Sequence, residues 1–283
     1  MTSQVKTILL LGLLSGIIIV LGGLVGGRAG VLIAFFIAII MNIGSWWFSD
    51  TIVLKMYHAR EQGPEDSPWL HDTVARLATS ARVPKPRIYI VPEQAPNAFA
   101  TGRDPEHSAI AVTEGILGLL SPQELEGVLA HEMGHIVNRD ILIQTIAGVM
   151  ASAIVTLANM FQFHAIFGGN RQGGGNVISG ILLALLAPIA ASLVQMAISR
   201  TREYLADETG ARLCGQPLAL SSALYRLGTM SGQIPMQRGN PSTGEMFIVA
   251  PLFGHDDGIA KFFSTHPPLQ DRIDRLRLMA ANQ

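Results

Sequence analysis

Four long stretches of this 283-residue chain carry no charged side chain: residues 7–27, 29–49, 141–170 (with His164 neutral) and 172–199. Each is long enough to cross the bilayer as a helix, which takes about 20 residues for about 30 Å of hydrocarbon. Single arginines, Arg28 and Arg171, separate the members of each pair. The pattern predicts two hydrophobic hairpins, residues 7–48 and 141–199. The first reads as two membrane spans. Its apolar run exceeds the roughly 7–15 residues of a cleaved leader, and a second run follows at once, so the hairpin is expected to be retained. The second hairpin contains Gln144, Asn159, Gln162, His164 and Gln195. A hairpin dipping into one leaflet fits it nearly as well as two full crossings. The GGNRQGGGN stretch at 168–176 reads as a flexible connection between its arms.

Two polar segments alternate with the hairpins, residues 49–140 and 200–283, and are expected to combine into one catalytic domain. In the first, 72–82 reads as an amphipathic helix. Arg87–Val91 reads as a strand between Pro86 and Pro92. Ala98–Thr101 and Ser108–Val112 form two further strands around a turn at 102–106. Ser121-Pro122-Gln123-Glu124 is a helix start: a capping Ser, Pro at the first helical position and Glu three residues after the Ser. The small sheet has two readings. Its edge can accept an extended peptide as an added strand, or it simply covers the following helix.

Composition agrees with a membrane chain. Hydrophobic residues make up 49%, charged residues 14%, and mean hydropathy is +0.36, whereas soluble domains carry about 25% charged residues. Lys55, Arg60, Arg139, Arg200 and Arg202 all flank the membrane on one side. The positive-inside tendency therefore places both polar segments and both termini in the cytosol. A net charge of −1 without a basic stripe argues against a nucleic-acid partner. The single Cys214 excludes an internal disulfide, and its simplest role is that of a small apolar residue.

The helix that begins at Ser121 delivers His131-Glu132-Met133-Gly134-His135. Residues four apart share a helix face, so His131 and His135 can grip one metal ion. Neutral imidazoles suit zinc, which then needs a third protein ligand. Glu132 lies beside the metal without binding it, placed to move a proton between an attacking water and a leaving amine. H-E-x-x-H on a helix is a zinc-protease signature. The third ligand must come from a segment that returns to this helix. Glu203 and Asp207 are candidates, four apart in the helix that leaves the last apolar run. A plain solvated face is the other reading of that spacing.

HEMGH, SRTREYLAD at 199–207, PNAFATG at 96–102 and FSTHPP at 263–268, set among hydrophobic hairpins, resemble the HtpX family of bacterial membrane zinc endopeptidases. These are relatives of the CAAX prenyl endopeptidases. The resemblance spans nearly the whole chain. It implies a mainly α integral membrane protein, with four hydrophobic helices in two hairpins and a cytosolic zincin-like α+β domain containing a small sheet. It implies one Zn2+ per subunit held by His131, His135 and Glu203, and Asp207 as the carboxylate that orients a ligand histidine. It places Asn97, Ala98 and Phe99 on the strand that meets substrate, and His266 facing the zinc to steady the oxyanion. It also implies a place in the cytoplasmic (inner) membrane and cytosol-facing cleavage of misfolded or damaged membrane proteins under stress. The partners would then be the bilayer, membrane-protein substrates and unfolded polypeptides.

Other readings fit less well. An intramembrane protease would bury its motif in a span, but Glu124, Glu126, Arg139 and Asp140 bracket this one. A zinc transporter needs His or Asp in several spans, and these runs are nearly empty of both. His58, His71, His107 and His255 lie in polar stretches and read as surface or structural residues.

Overall fold

A computed structural model describes residues 3–149, 200–237, 241–251 and 267–282. Helix α1, Ser3–Met56, bends at Gly27 (φ 56°, ψ −139°) and again at Phe48. The left-handed backbone at Gly27 suits a residue without a side chain and splits α1 into two arms. The arms pack closely: a Cβ on Gly30 would strike the Gly22 carbonyl. Asn42 Nδ2 on the second arm donates to Ser15 Oγ on the first at 2.7 Å. Leu32, Ile33, Phe36, Ile40 and Ile43 are each at least 61% exposed. So much bare apolar surface on one helix suits lipid rather than water. Among the described residues, Gly27–Met56 is long and apolar enough to cross a membrane, and the first arm carries a shorter apolar stretch, Leu11–Val20. Of the second expected hairpin, residues 141–149 are helical and the remainder lies outside the described residues.

The C-terminal end of α1 joins the sheet. Val53, Leu54 and Tyr57 pack with Tyr89, Val91, Phe99 and Phe247, and Asp50 pairs with Arg87. The sheet contains β1 (Arg60–Glu61), β2 (Arg87–Val91), β3 (Ala98–Gly102) and β4 (Ser108–Thr113), in the order β1-β2-β4-β3. β2 and β4 run parallel, while the two outer pairs are antiparallel. The expected three strands are present, and β1 is an addition too short to show a period. β3 closes the sheet on one side as its edge.

Helix α2 (Pro68–Ala81) buries Leu70, Val74, Leu77 and Ala78, a stripe with helical spacing. Thr113 caps α3 (Glu114–Leu119) through its hydroxyl. Helix α4 (Pro122–Val137) carries the expected capping box: Ser121 Oγ accepts from Glu124 N–H and Glu124 Oε2 from Ser121 N–H. It is buried on nearly every side, packed by α2, the sheet, α5 (Arg200–Cys214) and α6 (Pro217–Ser231). Helix α7 (Leu269–Ala281) lies on α6 and α5. The main core runs continuously from α2 through the sheet and α4 to α6 and α7. The H-E-x-x-H helix is thus the central element of the domain, which holds its side chains rigidly.

Candidate metal centre

α4 and α5 approach each other closely because small residues meet at the crossing. A Cβ on Gly134 would lie 2.9 Å from the Ala206 carbonyl oxygen, and one on Gly210 would lie 2.7 Å from His131 N. This contact brings His131 and His135 on α4 to Glu203 on α5, all three buried. The two histidine Nε2 atoms are 3.1 Å apart. Glu203 Oε1 is 3.5 Å from His135 Nε2, and its Oε2 is 3.7 Å from His131 Nε2. Ligands on one tetrahedral zinc, each about 2.0–2.1 Å from it, would be about 3.3 Å apart. These separations are of that size, the carboxylate reaching the two histidines through its two oxygens.

The far side of each imidazole supports the same conclusion. His131 Nδ1 faces Asp207 Oδ1 at 2.9 Å, and His135 Nδ1 faces Asp140 Oδ1 at 3.1 Å. A carboxylate on Nδ1 holds the ring proton there and leaves the Nε2 lone pair free. Two imidazole nitrogens that face each other across 3.1 Å need a proton or a metal ion between them. The donor set therefore fits a zinc ion. Asp140 reaches His135 because Arg139 adopts a left-handed turn (φ 55°) just beyond α4 and folds the chain back.

Arg272 completes the centre from α7. It is fully buried, and its Nε and Nη2 form a fork on Asp207 at 2.8 and 2.7 Å. Nη1 donates to the Ile248 carbonyl at 2.8 Å and lies 3.4 Å from Glu203 Oε2. Burial works against the Asp207 charge, but Arg272 and His131 outweigh it and hold the carboxyl well below its usual range. Burial likewise opposes the Arg272 charge, and Asp207 and Glu203 overcome it. His131 is shifted down, chiefly by burial. His135 moves the other way, up to about 10, because Asp140 and Glu203 outweigh its burial.

Glu132 is buried beside the triangle. Burial pushes its carboxyl up to about 8, against the pull of His135 and of a bond from the Ala100 backbone, while Glu203 adds to the push. Its Oε1 has no hydrogen-bond partner among the described residues. The edge strand β3 thus meets Glu132 through its backbone. Ala98 and Phe99 lie on β3 and Asn97 immediately precedes it. The Asn97 side chain is engaged in the fold: its Nδ2 donates to the Val249 carbonyl at 2.7 Å and its Oδ1 accepts from Ala98 N–H at 3.1 Å. Phe99 turns its ring into a cluster with Tyr57 and Phe247. His266 lies outside the described residues.

Two participants were not visible in the sequence reading, Asp140 and Arg272. Asp140 had a usable signal, since it follows the H-E-x-x-H helix within one turn of its end. Arg272 had none, because an arginine in a charged helix reads as a surface residue.

Peptidase family M48 matches residues 64–280. The chain belongs to this family. Named relatives of this M48 chain include the protease HtpX homolog of Desulforapulum autotrophicum, 53% identical over 281 residues, covering 98% of this chain and 90% of that protein. The protease HtpX homolog of Pyrococcus furiosus is 53% identical over 278 residues, covering 98% of this chain and 96% of its own. The resemblance to HtpX proteases read from the motifs is therefore correct. The crystal structure of S. mikatae Ste24p matches with a TM-score of 0.50 at 21% identity, covering 96% of this M48 chain and 65% of that one. This likeness concerns the fold alone, a mostly helical architecture with a small mixed sheet.

Proposed function

We propose that the chain is a zinc-dependent endopeptidase of the cytoplasmic membrane, with its active site facing the cytosol. The observation that carries this reading is the buried triangle of His131, His135 and Glu203 with Glu132 at its side. A zinc ion held there supplies Lewis acidity to a peptide carbonyl and makes water a nucleophile near neutral pH. Asp207 and Asp140 fix the tautomers of the two histidines. Arg272 neutralises Asp207 and keeps its carboxylate aligned. Glu132 takes a proton from the attacking water and delivers it to the leaving nitrogen. Burial raises its carboxyl above the usual carboxylate range, which favours holding the proton it takes. His266 is proposed to face the oxyanion, as the family resemblance implies.

The substrate is proposed to bind as an extended strand along β3, whose outer edge pairs with no other strand among the described residues. The bare apolar face of α1 is proposed to lie in lipid, with the basic residues near the membrane on the cytosolic side. Misfolded or damaged membrane proteins and unfolded chains are the proposed substrates, and stress-linked quality control the proposed role. Purified protein loaded with zinc should degrade an unfolded test protein such as a casein, and should cut a single-span reporter on its cytosolic flank. Cuts near the bilayer midplane would contradict the placement of the site.

A further inference from the structure

One end of the β3 edge is already occupied. Thr113 N–H donates to the Asn97 carbonyl at 3.0 Å. In this antiparallel pair the groups of residues 97, 99 and 101 therefore face β4, and those of Ala98, Ala100 and Gly102 face outward. Both outward groups of Ala98 are satisfied. Its N–H is held by Asn97 Oδ1 at 3.1 Å, and its carbonyl accepts from Ile248 N–H at 3.0 Å. Ile248 belongs to a strap, residues 247–249, fastened on several sides. Asn97 Nδ2 holds the Val249 carbonyl, and Arg272 holds the Ile248 carbonyl. The Phe247 ring stands edge-on to Tyr57 and Phe99, with centroids 5.2 and 5.1 Å away. Two positions along the strand, the Ala100 backbone meets Glu132. Beyond Gly102 the chain enters Arg103, whose guanidinium lies 4.9 Å from the Trp47 ring on α1.

We propose that the 247–249 strap closes the Ala98 end of the substrate groove. An extended polypeptide is then read by main-chain pairing mainly on one side of the cut bond, the side that runs over Gly102 toward α1. The proposal rests on the reading of β3 as the substrate-binding edge and Glu132 as the base. Its logic is spacing. A strand rises about 3.3 Å per residue, so a substrate centred at Ala100 meets the Ile248 contact within two residues in one direction. Ala98 has no backbone group left to offer it. In the other direction the substrate follows the strand to the loop that stacks on the membrane helix. The enzyme therefore fits a segment that is extended on its α1-facing side and free in sequence on the other.

A peptide length series tests this with the zinc-loaded full chain in detergent. Starting from a minimal cleaved peptide, residues are added on either side of the cut bond and KM is measured. On one side, the second addition, which lies opposite Gly102, should lower KM about two- to tenfold, the net worth of a main-chain hydrogen bond, while the first, opposite the inward-facing Thr101, should change it little. On the other side, additions past the first should change KM less than about twofold, because no such bond is gained. In Phe247→Ala and Ile248→Pro, which loosen the strap or remove its donor, the short side should gain length dependence. Equal dependence on both sides in the wild type overturns the proposal, whatever the variants do. So does unchanged one-sidedness in a variant that keeps wild-type zinc content. A wild type that cuts no peptide, or a Glu132→Gln variant that cuts equally well, removes instead the reading on which the proposal rests.

Discussion

Gly210 offers a sharp test of how the metal ligands are held together. A Cβ at this position would lie 2.7 Å from His131 N, 2.8 Å from His131 Cα and 2.9 Å from the Ala130 carbonyl carbon, all backbone atoms. Ordinary contact begins at 3.4 Å, so in Gly210→Ala helix α5 must retreat from α4 by about 0.7 Å or strain by an overpacking cost of about 1–3 kcal/mol. Glu203 and Asp207 ride on α5 and both histidines on α4. A separation of that size exceeds the tolerance of about ±0.2 Å on metal–ligand distances. Zinc affinity should fall about 10–100-fold, the range seen when groups supporting a ligand are disturbed. Gly127→Ala is the control. Its Cβ would lie 2.9 Å from Leu220 N and 3.0 Å from Leu220 Cα on α6, a similar clash away from the ligands. Unfolding by denaturant should show both variants destabilised, while chelator competition should show weakened zinc only in Gly210→Ala. If Gly210→Ala binds zinc as tightly as Gly127→Ala, the α4–α5 spacing does not set the site, and the reasoning fails.

Three further outcomes are expected. Asp140→Asn should weaken zinc about 10–100-fold in chelator competition, because His135 loses the carboxylate that fixes its tautomer; wild-type affinity would mean that the Asp140 contact is incidental. Arg272→Met should destabilise the domain by about 3–5 kcal/mol in denaturant unfolding, since it removes the cation paired with the buried Asp207 carboxylate; a neutral result would argue against that pairing. Glu124 is held below its usual pKa: burial opposes its charge, but bonds from Ser222, Ser121 and Arg226 outweigh it. Its contribution to stability is therefore full above the unfolded value of about 4.3 and is lost as pH falls through the lowered folded value. Glu124→Gln should flatten the acid side of the stability curve, and an unchanged acid slope would contradict the assignment.

Local signals carried much of this architecture and tertiary ones the rest. Ser121, Pro122 and Glu124 announced the start of α4 through capping chemistry that acts within four residues. The four-residue spacing in H-E-x-x-H then placed two imidazoles on one face of it. Arg87–Val91 was legible as a strand because prolines bracket a β-branched run. The parallel pairing of β2 with β4 was not legible, since strands of five and six residues carry no mark of their partner. The burial of Arg272 was also hidden, because it follows from α7 docking over Asp207, a contact across 65 residues. Glu203 and Asp207 were ambiguous by spacing alone, and the close α4–α5 crossing at Gly134 and Gly210 explains why both face inward. The resemblance places Asn97 at the substrate strand, and the anchoring of the 247–249 strap by its side chain is a tertiary contact that the motif does not announce.

In the proposed function, His131, His135 and Glu203 hold a catalytic zinc while Glu132 moves the proton. Metal content and peptide hydrolysis, measured together on the wild type, Glu203→Ala and Glu132→Gln, test it most directly. Glu203→Ala should lose stoichiometric zinc. Glu132→Gln should keep its zinc and lose hydrolysis by about 10²–10⁴-fold, the usual contribution of a positioned base. Full zinc in Glu203→Ala, or near-normal turnover in Glu132→Gln, would contradict the account.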